Sequence, residues 1–517
     1  MFAFALWDEY KQRLFCARDR FGEKPFYYAM GQNGEFVFAS EIKGILASGL
    51  VEPILDTEQV WHYLNYSYVY PTRTIYKNIF ILPPAHTLTF ENGTVNISRY
   101  YNLPQTNLAI TEAEAVEEFR RLFRQAVERQ LVADVPVGAF LSGGLDSGSV
   151  VATAAELVEQ VTTISFAFPD GIDESRAARS MADRYHTNHI ELRATDYDIV
   201  ELLHTMQHIF DEPFADPAAI PAYLIAKAAR EHVKVVLTGD AGDELLGGYD
   251  RNYRALKYMR EYQQSIIPQR LLAGTAKAKF FVERVLRKLK KITGIQSFED
   301  NLLYNTSLRD TEIRMIALVM LHDNPTDIVD YCRSKSRMIN NEQMHMLGLS
   351  APRNDYHILE GFLEPSELEN ALRVDLLDYL PGNGFLKTDR TTMAVSLESR
   401  TPFCDVDLAE FCISLPFDMK VRGRLDKYIL RKAMADKWTE PVRRGAKNGF
   451  SPPFGKWLEN SKVQDMQEYY LNSRDRRIFD VLDFAGVRKF MAVADTWPRY
   501  SMLMLSMFLE HHPWKLE

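Results

Sequence analysis

The chain has 517 residues, and at roughly 150 residues per domain this length predicts two to four domains. Apolar residues make up 46% and charged residues 25%, close to the averages of folded proteins, which excludes wholesale disorder and predicts a large core. With 61 Lys and Arg against 70 Asp and Glu, the net charge of −9 offers polyanions no global attraction and argues against a nucleic-acid partner.

Cys16, Cys332, Cys404 and Cys412 stand at irregular spacings that suit neither a disulfide framework nor a four-thiolate metal site, so a reducing cytoplasm is the expected compartment. No apolar run reaches about 18 residues and the N-terminus lacks a signal-peptide pattern, so neither membrane insertion nor export is expected. Met1 to Trp7 reads instead as a buried strand that begins at the first residue. Up to about residue 100 the pattern is β-rich, through RLFCARD, KPFYYAM and EFVFAS, with turn signals such as Gln32-Asn33-Gly34. Pro83-Pro84 and the stretch Leu103 to Asn107 mark a change of character, and we place a domain boundary near residue 106. Thr111-x-x-Glu114 then opens an amphipathic helix with a capping-box signature, whose apolar face holds Val116, Phe119, Leu122, Phe123, Ala126 and Val127.

From there strand and helix alternate: VPVGAFL, a helix from about Gly148, the strand TISFAF, a helix through Ala177 and Met181, HIELRA, a helix through Tyr223 and Ala226, and VKVVLTGD at 233–240. A doubly wound parallel sheet is the expected α/β solution, because crossover helices bury both of its faces. Beyond about residue 250 the periodicity is mostly helical. No internal repeat or low-complexity tract is evident.

Two loops carry the chemical signal. Leu141-Ser142-Gly143-Gly144-Leu145-Asp146-Ser147 lies between a strand and a helix, where adjacent glycines turn the backbone so that N–H groups and two hydroxyls point at one anion. It lacks the Walker lysine and the dinucleotide fingerprint. An ordinary Gly-Gly turn is the alternative, but a carboxylate beside phosphate is repulsive unless a cation such as Mg2+ stands between them. Thr238-Gly239-Asp240-Ala241-Gly242-Asp243-Glu244, running on through Gly247-Gly248-Tyr249, follows another strand and suggests a metal-bridged polyphosphate site; a solvated acidic turn is its bland reading.

These loops resemble the ATP pyrophosphatase (PP-loop) motif and acidic loop of glutamine-dependent asparagine synthetases of the bacterial type. The resemblance extends to Asp211 through Pro217, Leu386 through Arg390, Ser396 through Phe403, and Asp426 through Arg431. Arg18-Asp-Arg-Phe-Gly22 with Pro25 through Tyr28 is similar to the end of that family's glutaminase domain. The resemblance implies that residues 1–106 are the C-terminal part of a type-2 glutamine amidotransferase β-sandwich and that 107–517 form the synthetase domain with a helical C-terminal region. It implies that Leu141 and Phe168 hold the adenine and ribose, that Ser142, Gly143, Gly144, Asp146 and Ser147 receive pyrophosphate, and that Thr238 and Gly239 contact the nucleotide. Asp146 and Asp243 would ligate Mg2+, Lys427 would be a mobile cation at the phosphates, and Arg390 would assist it. Asp240 matches the position tied to forming and using the acyl-adenylate, where many relatives carry the longer Glu.

The reaction implied is aspartate plus ATP giving β-aspartyl-AMP and pyrophosphate, then attack by ammonia to give asparagine and AMP. Because the adenylate hydrolyses easily, the site must exclude water, and in the family ammonia arrives from glutamine through an internal passage. The family's glutaminase nucleophile is a Cys after the initiator Met, whereas position 2 here is Phe2 and Cys16 reads as a buried structural thiol. The start reads as an internal Met of a longer gene or as a truncation, so the polypeptide taken literally is expected to use ammonia and not glutamine, unless a separate glutaminase chain serves it. The family also implies a homodimer.

Alternatives stay open at this level: another carboxylate such as a sugar uronate as acceptor, a non-catalytic truncated homologue, or a tRNA-modifying enzyme sharing the SGG-x-DS loop, which the acidic charge disfavours. His204 and His208 have two-His spacing on a helix but no third ligand. His186 and His189 read as loop and edge residues. Lys277 through Lys291 forms a basic amphipathic pattern whose bland reading is a solvated face.

Overall fold

The computed structural model describes residues 1–167, 174–193, 197–249, 252–256, 332, 338–350, 362, 364, 366–423, 425–445 and 452–517. Phe168 and the basic pattern at 277–291 lie outside the described residues. Near the N-terminus, β1 (Ala3–Asp8), β2 (Arg13–Arg18), β3 (Tyr27–Met30) and β4 (Phe36–Ala39) precede the short helices α1 (Ile42–Ala47) and α2 (Thr57–Tyr66). After them come β5 (Ile79–Ile81), β6 (His86–Glu91) and β7 (Thr94–Arg99). Antiparallel pairing builds a sheet of order β1-β2-β6-β7 and a second of order β4-β3-β5. The sheets share a small core of Cys16, Phe26, Tyr28, Leu82 and Leu88, which is the sandwich expected of this region. Cys16 is fully buried there and its thiol is pushed up to about 12 by burial, so it is inert filling.

The first strand is not buried as its composition predicts. β1 pairs with β2 alone, at the sheet edge, and while Ala3 and Ala5 face the core, Phe4, Leu6 and Trp7 are 44%, 60% and 48% exposed. Alternation puts Phe4 and Leu6 on the outer face, whereas Trp7 shares the face of Ala3 and Ala5 but lies near the strand's end, its indole N–H donating to Glu9 Oε2 at 2.6 Å.

The second domain opens with α3 (Glu112–Leu131), where both halves of the capping box on Thr111 and Glu114 form. Its buried face holds Phe119, Leu122, Phe123, Ala126 and Val127, with Ala115 fully inside and Val116 only packed against the core. The parallel strands are β8 (Val137–Phe140), β9 (Thr162–Ala167), β10 (Asn188–Arg193), β11 (Val235–Leu237) and β12 (Glu398–Arg400), in the order β10-β9-β8-β11-β12. Helices α4 (Leu145–Ala155) and α5 (Ser175–Arg184) join α3 in one core, whereas α6 (Ile199–Ile209) and α7 (Ala219–Ala229) contribute to others with the C-terminal helix Thr496–His511. A sheet with separate cores on its two faces is the doubly wound arrangement.

One strand departs from the mainly helical reading beyond residue 250. β12 has three residues, Glu-Ser-Arg, too short and polar for any periodicity to show. It exists because β11 has a free edge for it, with Leu237 in register with Arg400. The Arg400 guanidinium donates to the carbonyls of Gln130 and Val132, so the same residue closes the C-terminus of α3. Among the described residues no helix is long and apolar enough to cross a membrane.

Strand order reverses between β8 and β11, so the loops leaving their C-terminal ends flank one crevice. What holds the first loop in place is its helix: Trp438, 1% exposed, packs against α4 and donates its indole N–H to Ser149 Oγ at 3.0 Å. Trp438→Ala is expected to cost about 3–5 kcal/mol by emptying that wedge, read as a lower denaturant midpoint and weaker ATP binding.

Candidate active site

β8 runs directly into the first loop, with the Leu141 amide donating to Ile164 O at 2.8 Å as the last rung of the ladder. Gly144 caps α4, so the loop meets a helix N-terminus. Ser142 and Ser147 close it on themselves: their hydroxyls lie 2.9 Å apart, the Ser142 amide donates to Ser147 Oγ at 3.2 Å, and the Gly144 amide to Ser142 Oγ at 3.1 Å. Neither Gly143 nor Gly144 has a positive φ, so turning freedom is not why glycine stands here. Lack of a side chain is: a Cβ on Gly143 would lie 3.1 Å from Ala177 and Glu174, and one on Gly144 3.2 Å from Ser142 Oγ. The Gly143 amide donates to Glu174 Oε2 at 3.3 Å, a carboxylate the sequence reading omits, and burial holds that carboxyl above its usual range against the pull of this amide.

The second loop leaves β11 and turns through Ala241, whose φ of 64° is left-handed, into the short helix α8 (Gly242–Leu246). It lies against the first loop. A Cβ on Gly239 would stand 2.9 Å from the Ser147 amide nitrogen, and one on Gly242 2.7 Å from Asp146 Oδ1. This contact brings Asp146 and Asp243 to opposite sides of one cation. Lys427, itself left-handed at φ 49° and 3% exposed, hydrogen-bonds Asp146 Oδ2 and stands 2.6 Å from Asp243 Oδ1. Burial disfavours its charge, but the two carboxylates outweigh burial and hold its pKa above the usual lysine range.

Asp240 is a few residues away in a separate polar group. Thr238 and Thr388 each donate a hydroxyl to its Oδ2 at 3.0 Å. Burial raises its pKa, against those hydroxyls and the nearby Lys387. Lys387 donates to Asp216 Oδ2 at 2.7 Å and to Asn383 Oδ1 at 3.4 Å, and Asp216 also accepts the Ala218 amide. Asn383 belongs to a wide π-helical turn, Asp375–Gly384, that feeds the helix Phe385–Met393 carrying Lys387 and Thr388. The sequence reading omits Lys387, Thr388 and Asp216 although it recognises both segments holding them; a lysine beside a threonine in one segment and an acid in the other is the signal it passes over.

Arg390 is the site residue that the structure takes elsewhere. One helical turn past Lys387, it points away from the loops, donating to Glu41 Oε1 at 3.1 Å and to Ser40 O at 2.9 Å, with Tyr27 beneath its guanidinium. Its contacts therefore tie the N-terminal domain to the helix Phe385–Met393 and not to either glycine-rich loop. His204 contacts His511 edge to face, and among the described residues no group of three or more acid, His or Cys side chains could hold a metal by itself. Asp146 and Asp243 nevertheless fit Mg2+, because two hard carboxylates around one cation position, completed by phosphate oxygens and water, are what this ion takes.

Comparison with known proteins decides the family. Residues 118–514 match the Asparagine synthase family model, and residues 1–101 match that of the Glutamine amidotransferase domain. The chain belongs to the asparagine synthase family. It is a ligase of the asparagine synthase type, built for ATP-dependent amidation with ATP as substrate. It is 29% identical to "Asparagine synthetase (glutamine-hydrolyzing) 1" of Bacillus subtilis, over 91% of this chain and 70% of that protein. With "Asparagine synthetase (glutamine-hydrolyzing) 3" of the same organism it shares 30% identity over 84% of this chain and 64% of the other. A provisionally named asparagine synthetase 2 of Methanocaldococcus jannaschii is 38% identical over 48% of this chain and 49% of its own length.

Membership in this family does not explain why Gly248 is glycine, but the geometry does. A Cβ there would fall 1.8 Å from Asp243 Oδ1 and 2.7 Å from Lys427 Cε. Gly248→Ala is therefore expected to displace the three-charge group and lower turnover by about 100-fold, with circular dichroism unchanged.

Proposed function

We propose that this chain converts aspartate to asparagine through β-aspartyl-AMP, releasing pyrophosphate and then AMP, with residues 1–106 and 107–517 as its two domains. The observation that carries the reading is the convergence of Asp146, Asp243 and Lys427 at the mouth of the sheet. ATP lies across the crevice, its nucleoside toward Leu141 and Thr238, its phosphates toward Ser142, Gly144 and Ser147. Asp146 and Asp243 would hold Mg2+, which when bound neutralises phosphate charge. Lys427, drawn off the two carboxylates, donates to the phosphate oxygens as pyrophosphate leaves.

The acceptor carboxylate attacks the α-phosphorus and pyrophosphate departs. Lys387 and Asp216 stand beside Asp240 as a cation and an anion, the pair that a zwitterionic amino acid needs for its own carboxylate and ammonium. This favours an amino acid over a uronate, which offers no ammonium to Asp216. Ammonia then attacks the acyl carbon, and Asp240 takes the proton that the nitrogen must lose. With Oδ2 engaged by two hydroxyls, Oδ1 is the oxygen for that transfer.

The test is to supply the 517-residue polypeptide with ATP, Mg2+, aspartate and either ammonium or glutamine, following asparagine and AMP by mass spectrometry. Asparagine is expected when ammonium is supplied; AMP formed only with another carboxylate removes aspartate as the acceptor. A second measurement addresses Asp240. Hydroxyl donors favour its charged form, so Thr388→Val raises its pKa further and moves the acid limb of the kcat/KM profile to higher pH, whereas Thr388→Ser leaves the limb in place.

A further inference from the structure

A narrow cleft, with room for little more than one or two small molecules, lies where the N-terminal segment meets the rest of the chain, lined by Arg18, Glu23, Tyr27 and Tyr70 from the former and by Glu212 and Asp389 from the latter. Most charges around it already have partners. Arg18 gives its guanidinium to the carbonyls of Lys24, Leu82 and Gly22; Asp389 pairs with Lys24 at 2.7 Å; Glu23 faces the Met1 amino group at 3.5 Å. Behind Glu212, Asp211 accepts the Ile42 amide and pairs with Lys43, with Arg390 4.0 Å away. Arg73 is exposed at the rim.

Glu212 differs from the rest. Its Oε1 accepts the Ile75 amide at 2.7 Å, and among the described residues no donor bonds Oε2. Half-buried, it lines a cleft whose other lining residues include Tyr27 and Tyr70. One open carboxylate oxygen with tyrosine rings nearby is a site for a small monocation that can donate hydrogen bonds. Phe385 and Leu386 also line the cleft, and Lys387 and Thr388 beside Asp240 follow them directly in the same helix.

We propose that this cleft binds an ammonium ion at Glu212 and takes one proton from it, freeing ammonia on the Phe385–Leu386 side. The inference rests on the ammonia-using reading above. At neutral pH free ammonia is mostly protonated and has no lone pair for attack, so a base must act before it reaches the adenylate. The step balances: an N–H bond breaks and an O–H bond forms on Oε2, ammonium becomes ammonia and the carboxylate becomes the acid, which returns its proton to solvent at the rim. Burial, and then Asp211, raise the Glu212 pKa against the Ile75 amide and Arg390, to about 8, which suits a group that both accepts and returns a proton near neutrality.

The experiment measures initial AMP formation by the full chain against ammonium chloride at saturating ATP, Mg2+ and aspartate, alongside aspartate-dependent exchange of pyrophosphate into ATP. Glu212→Gln keeps an acceptor for Ile75 and removes the charge. Its KM for ammonium is expected to rise about tenfold or more, the loss of one charge-assisted hydrogen bond, with exchange within about twofold of the parent. An unchanged KM overturns the proposal. Where exchange shows that Glu212→Gln has not folded, Glu212→Asp decides: the carboxylate drawn back one methylene raises the KM, and an unchanged value overturns the site. If the parent itself gives neither exchange nor product, the amidation reading falls, and the site is read from stability. The parent's unfolding midpoint then rises in ammonium chloride over tetramethylammonium chloride at equal ionic strength, and equal midpoints overturn the site.

Discussion

Lys427 carries its ammonium into a space between two carboxylates that come from different loops, and the C-terminal end of the sheet is organised around that one cation. Asp146 belongs to the loop after β8, Asp243 to the loop after β11, and Lys427 to a segment nearly two hundred residues further on. Two carboxylates this close repel each other, and a buried lysine without a counter-ion loses its charge; together they satisfy both demands. Removing one member of such a group costs about 3–5 kcal/mol because a buried charge is left uncompensated. The backbone is shaped to suit it: Ala241 and Lys427 both adopt left-handed φ, and Gly239, Gly242 and Gly248 lack the side chains that would push the loops apart. A three-charge group bound this way is stable at rest yet can be re-partnered by a polyanion and its cation.

A second set of charges joins the domains. Asp211, Glu212 and Asp216 lie within six residues, yet they face different ways: Asp211 caps the Ile42 amide, Glu212 opens to the cleft, and Asp216 holds Lys387. The helix Phe385–Met393 answers them in the same order of space, with Lys387 toward the active site and Asp389 and Arg390 toward the N-terminal domain. This one helix thus serves both polar groups: Lys387 and Asp389, two positions apart, leave it in different directions, and Arg390, a turn beyond Lys387, extends to Ser40 and Glu41. A change in the N-terminal domain near Lys24 or Glu41 therefore has a short mechanical path to Thr388 and Asp240.

Much of this was legible from residues alone, and the reason is locality. A strand running into Ser-Gly-Gly-x-Asp-Ser and then a helix is a short-range pattern, and so is the capping box at Thr111. What escaped reading depended on neighbours distant in sequence. β12 is a strand only because β11 offers an edge; Phe4 and Leu6 are exposed because they stand on the face of β1 turned from the small core. Arg390, in a segment that resembles the family's active site, turns to Glu41 because its position on the helix faces the other domain.

By itself, then, the sequence determined that a Ser-Gly-Gly loop and an acidic loop each follow a parallel strand, since turn chemistry and hydrophobic period are properties of adjacent residues. Tertiary structure alone decided that the two loops touch at Gly239 and share the ammonium of Lys427, that Lys387 pairs with Asp216 beside Asp240, and that Glu212 is left open to a cleft. The physical reason is that charge pairing and burial are set by distance in space, and only the strand order brings these segments within reach of one another.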